Sequence, residues 1–116
     1  MGKYIIRPEE RPSYSPEGHR ETTNRLLISR ENVGASYVEV VLGEVSAGGL
    51  TEAHSHEVEQ AQYMIEGRAR VEIEGEEPEE AKAGDIIFFP AGKVHRISPA
   101  GSSYKCLVIY APPRTR

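Results

Sequence analysis

Short apolar runs separated by glycine and proline recur along the whole chain, and they predict strands. Arg68-Ala69-Arg70-Val71-Glu72-Ile73-Glu74 alternates polar and apolar for seven residues, as a half-exposed strand does, between turn positions at Gly67 and Gly75. Tyr37 to Val45 is rich in β-branched residues and reads as a long strand that Ser46-Ala47-Gly48-Gly49 ends. Arg25 to Ser29 is a further strand, followed by a turn at Glu31-Asn32-Val33-Gly34. Ile86-Ile87-Phe88-Phe89 is apolar on both faces, opened by Ala83-Gly84-Asp85 and closed by Pro90-Ala91-Gly92. Val94 to Ser98 and Tyr104 to Tyr110 supply the last strands, and Pro112-Pro113 ends the fold. Before Asn24, a short strand at Tyr4-Ile5-Ile6 leads into an irregular arm in which Pro8, Pro12 and Pro16 forbid helix.

Leu50 to Glu66 is ambiguous. It is the longest stretch free of Gly and Pro, and Leu50, Ala53, Ala61 and Met64 fit a helical stripe. Helix and strand both remain open there on pattern alone.

Composition narrows the class. A chain of 116 residues holds one ordinary domain, and 38% hydrophobic content supports a core without staples. The formal charge of -4 disfavours nucleic acid as a partner. Apolar runs of about six residues fall far short of the roughly 20 a membrane span needs. The N-terminus is too short and polar for a signal peptide, and the lone Cys106 fits a reducing cytoplasm; no internal disulfide can form.

The chemistry rests on histidine. Three of the four lie at positions 54, 56 and 95. His54 and His56 would point about 200° apart on a helix, but they share one face of a strand and can then ligate one ion. The metal reading and the strand reading of this segment stand together.

The spacing Gly48-(x5)-His54-x-His56-(x3)-Gln60-(x6)-Gly67 resembles the first cupin motif, with Gln60 where that motif has Glu. Gly84-(x5)-Pro90-x-Gly92-(x2)-His95 resembles the second, with Ser98 at its usual Asn position. The resemblance covers roughly residues 38 to 110. It implies an all-β fold, a double-stranded β-helix or jelly-roll barrel, with residues 1–23 as an arm and 24–116 as the barrel. It also implies that Leu50 to Glu66 is strand, and that one divalent transition metal per chain (Zn, Fe, Mn or Ni) is held by His54, His56, His95 and the Gln60 amide.

Gln60 alters the expected chemistry. Three imidazoles and an amide leave the charge of a divalent ion uncompensated, which favours an anionic small-molecule substrate and a strong Lewis acid. Cupins that cyclise or isomerise unsaturated uronates, and some aromatic polyketide cyclases, are similar in using Gln here, whereas dioxygenases and oxalate-type decarboxylases more often keep Glu. The expectation is therefore an isomerase, cyclase or lyase, with a metal-dependent dioxygenase and a non-catalytic sugar or small-acid binder as alternatives. Period-two alternation puts Gln62 and Met64 on the face of Gln60. Gln62, Tyr63 and Tyr104 are the catalytic candidates, and Tyr110 is a further possible donor. Met64, Phe89 and Ile97 form apolar wall, and Cys106 is a buried inert thiol. His19 is read as a solvated arm residue, with a role over the pocket mouth as the alternative. Lys93, Arg96 and Arg70 could steer an anion. Sheet edges and the arm together imply a homodimer.

Overall fold

The computed structural model describes residues 4–114, without the side chain of Leu50. The ends of the expected arm and barrel, residues 1–3 and 115–116, lie outside that range. Nine strands form two antiparallel sheets among the described residues. They are β1 (Ser13–Tyr14), β2 (His19–Ile28), β3 (Glu39–Thr51), β4 (Glu59–Glu66), β5 (Arg68–Ile73), β6 (Glu79–Lys82), β7 (Ile86–Phe89), β8 (His95–Pro99) and β9 (Tyr104–Ala111). The large sheet has the order β1-β2-β3-β9-β4-β7 and the small one β6-β5-β8. This is the jelly-roll expected from the motifs. No helix among the described residues is long and apolar enough to cross a membrane.

The core lies between the sheets. Alternation buries Gln60, Gln62 and Met64 on β4, Ala69 and Val71 on β5, and Ile87 and Phe89 on β7. Met64 and Phe89 are the largest fully buried side chains. A second cluster is formed by Val41, Val58 and Tyr110, with Leu26 and Val108 packed against it.

Several sequence expectations are corrected. Tyr4-Ile5-Ile6 lies in no strand. The expected 23/24 boundary falls inside β2, which begins at His19 rather than Arg25 and pairs with β3 as far as Thr51. Pro8 to Glu10 forms one 3-10 turn with Pro8 at its first position, where proline's missing N–H costs nothing. The turn at 31–34 contains a single helical turn, α1 (Arg30–Val33), nucleated because the Ser29 and Asn32 side chains cap each other's backbone. Ser46 to Gly49 does not end β3. A Cβ on Gly49 would stand 2.7 Å from Val45 Cγ1 and 2.9 Å from the Arg20 carbonyl oxygen, so the glycine lets β2 and β3 continue together in close approach. The helical stripe in Leu50 to Glu66 does not form, because Gln60 to Tyr63 pair with both β7 and β9. That double pairing satisfies backbone groups and buries one face, which outweighs local helix propensity.

Candidate metal centre

Two loops bring the histidines together. After β3 the chain leaves the sheet, and His54 makes an isolated antiparallel bridge with His95. The His54 amide donates to the His95 carbonyl at 2.9 Å, and the His95 amide to the His54 carbonyl at 2.8 Å. The Gly92 amide donates to the His56 carbonyl at 2.7 Å, so the turn at Pro90-Ala91-Gly92 clamps the second histidine. The ligand-capable atoms of His54, His56 and His95 lie within 4.8 Å of one another. These three residues are positioned to hold a metal ion.

Their surroundings fit that use. His54 Nδ1 lies 2.8 Å from the Glu52 carbonyl oxygen, which only accepts, so Nδ1 carries the proton and Nε2 is free to ligate. Phe89 stacks on His95 with ring centroids 4.3 Å apart, and Tyr110 meets His56 edge-on at 5.3 Å. His56 Nε2, His95 Nε2 and Gln60 Oε1 are buried without a hydrogen-bond partner. Each such atom costs about 1–3 kcal/mol unless something else satisfies it. A divalent cation suits two imidazole nitrogens and an amide oxygen. The Gln60 amide nitrogen donates to Gln62 Oε1 at 3.4 Å, which leaves its oxygen as the free end.

Burial, then the nearby His54, lowers the pKa of both His56 and His95 to about 4. They are neutral at pH 7, as ligation requires. In the metal-free protein they stay neutral down to about pH 4, while the unfolded chain protonates the same imidazoles from 6.5 downward. Between those limits the unfolded state binds more protons, so stability rises with pH and is lost on acidification. Metal-stripped protein should lose stability from pH 6.5 to pH 4. Allowing for solvent screening, the loss is about 1 kcal/mol per imidazole, roughly 5–10 °C in Tm for the pair. A flat Tm across that window in a thermal scan would contradict the assignment.

The cavity around this cluster has a volume of about 360 Å³, and its lining includes Gln60, Gln62, Tyr104 and Ile97. Of the catalytic candidates, Gln62 and Tyr104 therefore face the site. Tyr63 does not: the alternation that turns Gln62 inward turns Tyr63 outward, where it is 43% exposed. Burial pushes the Tyr104 hydroxyl above its ordinary value and the Tyr110 hydroxyl to about 12, so both remain proton donors at neutral pH. Burial likewise raises the Cys106 thiol to about 12, which keeps it protonated and inert.

The sequence reading missed three residues. His19, read as solvated, lines the cavity with its ring 5.9 Å from His54, because β2 starts there and pairs with Thr51. Arg114 follows the prolines read as the end of the fold, yet it reaches the cavity. Its guanidinium stacks 4.0 Å above the Tyr110 ring and binds Glu39 at 2.8 Å. Burial opposes ionisation of Glu39, but the hydrogen bonds from Arg114 outweigh it and lower its pKa. No spacing rule links Glu39 to a residue 75 positions away. Lys93, Arg96 and Arg70 do not line the cavity, and Arg70 pairs with Glu72 at 3.3 Å outside it.

Known proteins resemble this chain. The polyketide cyclase RemF from Streptomyces resistomycificus is 28% identical and superposes with a TM-score of 0.82, over 97% of this chain and 81% of that one. The uncharacterised protein SCO3923 of Streptomyces coelicolor is 25% identical over 76 residues, 66% of this chain and 71% of that one. Oxalate decarboxylase OxdC of Bacillus subtilis is 30% identical over 95 residues, but this chain spans only 23% of its length. The sequence profile described as the cupin domain matches residues 41–110, which contain both histidine motifs and seven of the nine strands in whole or part. With the jelly-roll and the three facing histidines, that match makes this chain a member of the cupin family.

Proposed function

We propose that this protein is a metal-dependent enzyme of the isomerase, cyclase or lyase type, acting on a small anionic, oxygenated substrate. One observation carries the reading: the candidate ligand set has three imidazoles, and at the position of the usual carboxylate a buried amide oxygen without a partner. The 28% identity to a polyketide cyclase supports the same class. His54, His56 and His95 would hold the ion, with Gln60 Oε1 as the fourth donor. A divalent metal bound there supplies Lewis-acid polarisation of a substrate oxygen. The residues around it do the rest. Ile97, Val45 and Val108 give the cavity an apolar wall, while Phe89 packs behind His95 and Met64 lies in the core without lining the cavity. Tyr104 stays protonated and can donate a hydrogen bond to a substrate oxygen. His19 Nδ1 is buried without a partner at the cavity wall, which makes this ring the best-placed group for holding or moving a proton.

The reading is tested by proton exchange in D2O under nitrogen, with metal-loaded protein and β-diketone or unsaturated uronate substrates. The expected result is deuterium incorporation beside the carbonyl without oxygen consumption once air is admitted. Gln60→Glu should slow the exchange at least about 10-fold, because an added carboxylate weakens the Lewis acid. Oxygen uptake coupled to substrate loss would replace this reading with a dioxygenase. Tight binding without exchange would replace it with a binding protein.

A further inference from the structure

β2 breaks its own alternation beside the histidines. His19 and Thr22 both line the cavity, although an odd number of positions separates them. In a regular strand such residues face opposite sides of the sheet. Thr22 and Asn24 keep the period of two, and both line the cavity. Counted back from them, a regular strand would turn Arg20 into the cavity and His19 out of it. The observed order is the reverse: Arg20 is exposed, and the half-buried His19 meets His54 edge-on.

The register places the change at Glu21. Arg20 pairs with Leu50 and Thr22 with Val45, so Glu21 stands alone opposite Ser46 to Gly49. Glu21 has φ +49°, and among the described residues no other non-glycine has a positive φ. That conformation is unfavourable for any residue with a Cβ. Its neighbours hold it there. The Thr22 hydroxyl donates to the Arg20 carbonyl at 3.0 Å, closing the bulge across Glu21. The Glu21 carboxylate lies over Gly48, where an added Cβ would stand 3.1 Å from Oε2. Bare backbone at Gly48 and Gly49 therefore gives the bulge its seat, a use for the first glycine of the histidine motif. A bulge next to a site re-aims a side chain, and strain persists where the surrounding fold enforces it.

We infer that Glu21 is a positioning residue: its left-handed backbone shifts the facing of β2 by one residue, so that His19 rather than Arg20 enters the cavity. Glu21 acts through its backbone, since its side chain is exposed. The exchange of one residue for the other is a chemical choice. A guanidinium stays charged and offers no acceptor, whereas an imidazole can take up and release a proton near neutral pH. His19 as a proton carrier rests on the function proposed above; its direction rests on the bulge alone.

Substitutions at this one position test the inference. Glycine accepts a positive φ, and a β-branched residue does not. In metal-free protein the nuclear Overhauser effect between the His19 and His54 rings, whose centroids are 5.9 Å apart, should persist in Glu21→Gly and vanish in Glu21→Val. Glu21→Thr should lose it as well, and it makes the same backbone demand with a polar side chain if valine impairs folding. Circular dichroism should match wild type in all three. In metal-loaded protein, Glu21→Val should slow deuterium exchange about 100-fold, the scale of a positioned acid or base. The same substitution should cause no further loss in a His19→Ala background, because Glu21 acts only through His19. A ring contact that survives in folded Glu21→Val or Glu21→Thr would overturn the inference. So would equal loss of the contact in Glu21→Gly, which would assign the effect to the carboxylate, or a further loss of exchange in the His19→Ala background. The ring contact needs neither metal nor turnover, so it decides the inference even where the loaded protein exchanges no deuterium.

Discussion

His95→Ala is expected to leave the protein folded and unable to retain a metal. His95 is 3% exposed, and its place depends on backbone bonds to His54 and on pairing of β8 with β5, neither of which needs the imidazole. Loss of an outer-shell partner alone weakens metal binding roughly 10–100-fold. Loss of one of three imidazole ligands should therefore exceed about 100-fold, and metal after dialysis should fall below a tenth of an equivalent, as read by elemental analysis. Melting curves separate ligation from structure. Without metal, the variant should melt near wild type, because the substitution removes two buried ring nitrogens that have no partner. With added metal, only wild type should gain stability, by the binding linkage. One equivalent retained by the variant would refute the ligand assignment.

Gly67→Ala is expected to have the largest effect on folding. Gly67 has φ +82°, a left-handed conformation that costs an alanine about 1–2 kcal/mol. Sterics add more. A Cβ here would be driven into the Ser103 carbonyl oxygen and would stand 2.8 Å from Tyr104 Cα. Both are backbone atoms and cannot rotate aside. The Gly67 carbonyl also accepts from the Ala83 amide at 3.1 Å, so the turn is fixed on two sides. The combined cost should be about 4 kcal/mol or more, a large share of the 5–15 kcal/mol that holds an ordinary domain together. Soluble expression should collapse or the Tm fall by more than about 15 °C. Gly75→Ala is the control. Gly75 has a similar φ of +85°, but nothing lies within 4 Å of its added Cβ, so it should cost only the backbone term.

The two substitutions separate what a linear reading can and cannot find. Period-two alternation in Arg68 to Glu74 and in β4 follows from strand geometry, and burial agrees with it at Gln60, Gln62 and Met64. The same rule already turns Tyr63 away from Gln62, so its candidacy conflicts with the alternation. Pattern failed between Leu50 and Glu66, because helical and strand spacing coincide there over a few residues. The motif resemblance implies strand throughout, which holds for Glu59–Glu66 and at Thr51, whereas residues 52–58 form a loop that carries His54 and His56.

The sequence by itself determined the all-β class, the turns at Gly67, Gly75, Gly84 and Gly92, and the three histidines that meet, since these depend on local φ preferences, alternation and motif spacing. Tertiary structure alone decided what closes around them. The bond between His54 and His95 joins residues 41 positions apart. Arg114 reaches Glu39 and Tyr110 only because the chain turns back after the prolines, and His19 reaches His54 only because β2 runs beside the end of β3. These contacts are set by strand order and register. Cross-strand pairing, unlike alternation, depends on which distant segments can bury their faces together, and that is a property of the whole fold.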